Sequence, residues 1–117
     1  MKTKDLIAAF REYQENSNMH IVDIVEAISG CRCVPMNESA HIIVFDTVKQ
    51  HEAWESALAE LGYRVETVEI TRCPSARWEI KRRYIAYPGY DINGNSEIFY
   101  CNDDYREFAF GLEIMEA

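Results

Sequence analysis

The sequence of 117 residues lacks the features that identify a membrane or exported protein. No apolar run approaches the roughly 20 residues that a membrane-spanning helix requires. The N-terminal stretch MKTKDLIAAFREY contains no apolar signal core and carries Asp5 early, so we expect no export signal. These absences predict a cytoplasmic protein without a membrane anchor.

Cysteine and glycine are also sparse, and their spacing excludes several kinds of site. The four cysteines include no Cys-x-x-Cys pair, and only three histidines are present to complete a zinc site. The five glycines form no phosphate-binding loop. We therefore predict no metal and no cofactor, and in a reducing compartment we expect four free thiols. The cysteines are Cys31, Cys33, Cys73 and Cys101.

Positive charge is scarce, with 12 Lys and Arg against 20 Asp and Glu, a net charge of -8 and a pI near 4.8. Domains that bind nucleic acid usually have a basic pI, so this balance argues against a nucleic-acid partner. Hydrophobic residues make up 48% of the chain and aromatic residues 12%, which is typical of a folded globular protein. The length predicts a single domain over residues 1–117.

Helical periodicity dominates the N-terminal part of the chain. We predict one helix from Thr3, as its cap, to about Glu15, and a second from about Met19 to Ser29. Gly30 follows the second helix, where a left-handed C-terminal cap is favoured. A polar break joins the two helices into a helical hairpin. Their apolar stripes comprise Leu6, Ile7, Phe10, Tyr13, Ile21, Val22, Val25 and Ile28.

A strand–helix–strand unit is predicted next. After a short strand at CRCVPM (31–36), the segment HIIVFD (41–46) is apolar on both faces and predicts a central strand. Thr47 and Gln50 have the spacing of a capping box at the start of a third helix, which buries Trp54 and ends at Gly62. The segment YRVETVEIT (63–71) is the second strand, and it should run parallel to the first if both share a sheet.

The last forty residues predict strands only. Trp78–Ala86 alternates apolar and charged residues, Asn93-Gly94 is a strong type I′ turn signal, and SEIFYC (96–101) should pair across it. Phe108–Ile114 alternates again and predicts the final strand. The predicted fold class is α+β: an N-terminal helical hairpin, one βαβ unit and a C-terminal three-stranded antiparallel meander.

A basic strip at residues 77–83 stands out in this acidic chain. One interpretation is an ordinary solvated strand face, whose charges also protect a sheet edge. The other is nucleic-acid binding by interleaved basic and aromatic residues. Arg82 falls on the apolar side of the alternation, so we expect either a bulge or an acidic partner for it. The possible nucleic-acid contacts are Arg77, Trp78, Lys81 and Arg83.

Acidic residues surround the predicted turns of the meander. Carboxylates beside tyrosines suit a basic protein partner, because they steer association and imitate a row of phosphates. Acidic turns can also serve solubility alone. The predicted partner-binding residues are Asp91, Glu97, Asp103, Asp104, Tyr105 and Glu107.

Three functions remain open at this stage. The first is a small non-enzymatic inhibitor or adaptor that binds a basic surface, a profile of size and charge shared with phage anti-defence proteins and immunity proteins. Its expected targets are nucleases and other nucleic-acid-binding proteins, whose substrate sites are basic. The second is a nucleic-acid-binding module that uses the strand at residues 77–84. The third is a small enzyme with a Cys–His site, for which Cys33 and His41 are the pair most easily brought together.

Overall fold

A computed structural model describes residues 2–85, 87 and 108–115 of the chain. Within these residues the structure has three helices and a four-stranded antiparallel sheet, which confirms the α+β class with helices at the N-terminus and strands toward the C-terminus. The Asn93-Gly94 turn and the strand predicted at residues 96–101 lie outside the described residues. The helices are α1 (Thr3–Asn16), α2 (Ile21–Ser29) and α3 (Val48–Glu60), and the strands are β1 (Ile42–Ile43), β2 (Arg64–Arg72), β3 (Trp78–Tyr84) and β4 (Phe108–Met115).

The ends of α2 and α3 follow from local side-chain chemistry. The Thr47 hydroxyl accepts a hydrogen bond from the Gln50 backbone N–H, so Thr47 caps α3 as predicted. The Gln50 side chain in turn accepts from the backbone N–H of Asp46, one residue before the usual capping-box position. Gly30 ends α2 with a φ of 77°, the left-handed conformation that favours glycine.

The start of α1 differs from the prediction. Lys2 occupies the N-cap position without a side-chain hydrogen bond, and Thr3 is already the first helical residue. Leu6 and Phe10 are buried as the apolar stripe predicts, whereas Tyr13 at its end is 39% exposed. The apolar stripe of α1 is therefore buried in its first turns and partly exposed to solvent in its last turn.

The sheet has the strand order β1-β4-β2-β3, and every neighbouring pair is antiparallel. Because β4 pairs antiparallel with both β1 and β2, these two strands run parallel to each other with β4 between them. The β1–α3–β2 unit is thus parallel, as predicted, but split by the last strand. The helices pack on one face of the sheet around a core that includes Phe10, Phe45, Trp54, Leu58 and Leu112.

The chain before β1 closes the sheet by pairing with both of its edge strands. Cys33 forms an antiparallel bridge with Ile43 of β1, and Met36 forms a parallel bridge with Trp78 of β3. Residues 33–36 therefore join both edge strands, and the sheet curves around a second core. Instead of the strand predicted at CRCVPM, this segment forms only these two isolated bridges within the described residues.

This closure also corrects the expected position of the segment HIIVFD. Residues 42–45 are fully buried as predicted, yet β1 has two residues and lies first in the strand order rather than at the centre. Ile43 and Phe45 pack in the first core with the helices, and Ile42 and Val44 pack in the second core. Gly111 of β4 makes the close packing possible, since a Cβ there would lie 2.5 Å from Ile42 Cγ2.

Candidate functional site

Strand β3 carries the basic strip, and a bulge decides which way its side chains point. Glu69 of β2 lies opposite Arg82, whereas the next residue, Ile70, lies opposite Ile80, so Lys81 is the extra residue. Residues directly opposite each other share a face of the sheet. The bulge therefore places Arg82 and Ile80 on opposite faces, and it resolves the irregular alternation seen in the sequence.

Two cations of the strip, Lys81 and Arg83, form ion pairs within the protein. Lys81 Nζ lies 3.7 Å from Glu69 Oε2, and Arg83 Nη1 lies 2.8 Å from Glu66 Oε2. Arg83 Nη1 also contacts Glu113 Oε1, whose residue is only 6% exposed. Hydrogen bonds to Glu113 and Glu66 raise the pKa of Arg83. The strip thus neutralises carboxylates of β2 and β4.

The side chains at the N-terminal end of the strip also have partners within the protein. Arg77 Nε donates a hydrogen bond to the Met36 backbone oxygen at 3.0 Å, which ties the strip to the segment that closes the sheet. Trp78 is 2% exposed and packs in the second core. Its ring is unavailable for stacking on a base, which is the contact that single-strand binding requires. This geometry argues against the nucleic-acid interpretation.

Arg82 stands directly across from Glu69, on the face that also holds Tyr84. The Tyr84 hydroxyl donates to Glu69 Oε1 at 2.8 Å, and this hydrogen bond raises the pKa of Tyr84. Arg82 is exposed and forms no ion pair among the described residues, so the acidic partner expected for it is not found there, whereas Glu69 binds Lys81 and Tyr84.

Carboxylates on the helices have a different environment from those of the sheet. Within residues 2–85, 87 and 108–115, every ion pair involves Glu66, Glu69 or Glu113. The predicted partner-binding residues at 91, 97, 103, 104, 105 and 107 lie outside the part of the chain that the structure describes. Exposed helix carboxylates that form no ion pair within the described part are Asp5, Glu12, Glu15, Asp23, Glu52 and Glu60.

The environments of Cys33 and His41 do not suit nucleophilic catalysis. Burial, followed by the charge of Glu26, raises the pKa of Cys33 to about 11, so the thiol stays protonated near neutral pH. The His41 ring lies against His20, with 5.2 Å between ring centroids. The two rings line a cleft with Ser39 and with the buried Glu113.

A buried polar chain, which the sequence patterns above do not predict, connects α3 to β2. The Thr67 hydroxyl donates to Glu55 Oε2 at 3.1 Å and lies 2.9 Å from His51 Nε2. Because Thr67 has one proton to give, His51 Nε2–H is the donor to Thr67. Burial lowers the pKa of His51 to about 4, so the ring is neutral. His51 precedes Trp54 by three residues, a spacing that places it on the buried stripe and could have revealed it.

Neither a metal centre nor a membrane helix is found in the described part of the chain. No group of three or more His, Cys, Asp or Glu side chains there could hold a metal ion. No helix among the same residues is long and apolar enough to span a bilayer. Comparison with known proteins finds no matching family model, no matching curated protein and no matching solved structure.

Proposed function

We propose that this protein is a non-enzymatic binding protein that occupies a basic surface on a partner protein. The unequal use of its charges carries this proposal. Lys81 and Arg83 of the basic strip pair with carboxylates of the sheet, whereas the exposed helix carboxylates form no ion pair within the described part of the chain. The helices also carry three exposed cations without an ion pair in that part, Lys4, Arg11 and Lys49, so six exposed carboxylates against three cations leave the helical surface with net negative charge.

The sequence of the segment 88–107 extends this argument. It contains five acidic residues and one basic residue among 20, with the aromatic residues Tyr90, Phe99, Tyr100 and Tyr105 between them. Carboxylates steer a basic partner toward the complex, and tyrosines add contact area at low entropic cost. The partners we propose are nucleases and other nucleic-acid-binding proteins, because their substrate sites are basic.

Two pairs of charge changes test the proposal. Asp103→Asn with Asp104→Asn removes two negative charges from the acidic segment. Lys81→Gln with Arg82→Gln removes two positive charges from the strip and leaves the Arg83–Glu113 contact intact. Each variant and the wild type are tested for association with a panel of purified basic nucleases and nucleic-acid-binding proteins at two salt concentrations.

The expected result is binding to at least one panel member, with slower association of the Asn variant. The difference in association rate between the wild type and the Asn variant should become smaller as the salt concentration rises. The reason is that the Debye length falls to about 8 Å at physiological ionic strength, so that charges on the two proteins are screened from each other. Anisotropy with short single- and double-stranded oligonucleotides is the counter-test. Micromolar oligonucleotide binding that disappears in the Gln variant would contradict the proposal and support a nucleic-acid-binding module.

A further inference from the structure

A groove at the C-terminal end of α1 also has the properties of a binding site. It has a volume of about 520 Å³ and lies between the last turns of α1 and the chain that leads to α2. Its lining residues are Ala9, Glu12, Tyr13, Asn16, Ser17 and Met19.

Two exposed apolar side chains line this groove. Tyr13 is 39% exposed and Met19 is 38% exposed; among the described residues the third exposed large hydrophobic side chain, Ile85, lies outside the groove and is fully exposed. Tyrosine and methionine are common at binding surfaces, since each offers a large contact area and methionine adapts its shape. Two such residues in one groove provide an apolar contact site.

The charges around the groove favour a positively charged ligand. Glu12 is an acidic lining residue, and among the residues that the structure describes no Lys or Arg lines the groove. The last turn of α1 also contains no basic residue, so the negative end of the helix dipole is uncompensated there. Arg11 lies on the opposite side of α1 from Ala9, because two residues rotate a helix by about 200°.

Neutral side chains already satisfy two carbonyl groups at this helix end. Asn16 Nδ2 donates to the Glu12 backbone oxygen at 2.9 Å, and Ser17 Oγ donates to the Tyr13 backbone oxygen at 2.7 Å. These two hydrogen bonds therefore fix Asn16 and Ser17, which line the groove. The Glu12 carboxylate and the Tyr13 ring are left for a ligand, and a ring face within about 6 Å attracts a cation.

We propose that this groove receives a segment of the partner protein in which a Lys or Arg side chain stands next to an apolar residue. The cation lies between Glu12 and the ring of Tyr13, and the apolar neighbour packs on Met19. The identity of the occupant as a basic protein segment rests on the proposed function, whereas the location of its docking site rests on the groove alone.

Methyl NMR on the intact protein labelled with [¹³C-methyl]methionine tests the inference. The probe is a synthetic 12-residue peptide of alternating Lys and Leu, and an all-Lys peptide of equal charge is its control. We expect the Met19 signal to shift saturably with the Lys–Leu peptide while the signal of buried Met36 stays in place. Glu12→Gln should weaken the affinity about two- to fivefold, the range for an exposed ion pair.

Matched variants separate the groove from the overall acidity. Glu79→Gln on β3 removes one exposed negative charge outside the groove and should leave the Met19 titration unchanged. Tyr13→Ala should weaken it about two- to fivefold through loss of the cation–π contact, with circular dichroism as the check on folding. The inference would be overturned if the Met19 signal did not move with the Lys–Leu peptide, or if it responded equally to the all-Lys peptide. It would also be overturned if Glu12→Gln and Glu79→Gln weakened the affinity equally. The proposed function is judged separately, by the variants at Asp103 and Asp104.

Discussion

Neutral His51 should make the stability of this protein depend on pH between about 4 and 6.5. The ring is buried between α3 and β2 and lies within hydrogen-bonding distance of Thr67, 2.9 Å from its hydroxyl. Burial lowers the pKa of His51 in the folded state from the ordinary value of 6.5 to about 4. In the unfolded chain the ring regains its ordinary pKa and binds a proton more readily.

The sign of the effect follows from proton linkage. Between pH 6.5 and about 4 the unfolded state binds the His51 proton and the folded state does not. The free energy of unfolding therefore rises with pH across this window. The contribution of His51 to it is fully present above pH 6.5 and is lost as the pH falls toward 4. Each unit of difference between the unfolded and folded pKa values of His51 corresponds to about 1.4 kcal/mol. The neutral ring therefore contributes about 3 kcal/mol to the free energy of unfolding at neutral pH.

Urea denaturation of the wild type and of His51→Gln at several pH values between 4 and 7.5 measures this contribution. The glutamine amide can still donate to Thr67, but it does not titrate. We expect His51→Gln to lose less stability than the wild type on acidification, by about 3 kcal/mol over the window. His41→Gln, at an exposed position, is the control and should follow the wild type. Parallel pH profiles for the wild type and His51→Gln would refute the reasoning.

Four further predictions follow from the packing, the ion pairs and the cysteine spacing. Trp54→Ala should cost roughly 3–5 kcal/mol in urea denaturation, because Trp54 is buried in the first core; a loss below about 1 kcal/mol would contradict this. Gly111→Ala should cost about 1–3 kcal/mol by the same assay, since the new Cβ meets Ile42; unchanged stability would show that β1 can shift. Arg83→Gln should cost about 1–2 kcal/mol, between the ranges for exposed and buried ion pairs, because it leaves the buried Glu113 without this cation; Arg83→Lys should restore part of the loss. Metal analysis of the purified protein should find no zinc, and about one zinc per chain would disprove the prediction of four free thiols.

Local chemistry in the sequence was sufficient to predict the presence of the three helices and the fold class, although not the N-cap of α1. Thr47 at the start of α3 and Gly30 at the end of α2 act through hydrogen bonds and backbone conformation within a few residues. The buried position of Trp54 follows from a helical stripe. The charge balance, on which the proposed function depends, is likewise a property of composition.

Tertiary structure alone decided how the sheet is assembled and where the charges of the strip go. Strand pairing joins residues distant in the chain, so the insertion of β4 between β1 and β2 has no local signal. The same pairing places Glu113 beside Arg83, 30 residues apart, so that Arg83 and Lys81 of the strip neutralise carboxylates of the sheet. His51 and Thr67 meet because α3 packs on β2. Side chains that look alike in sequence thus acquire different roles, because burial and the nearest opposite charge are set by the packing of distant segments.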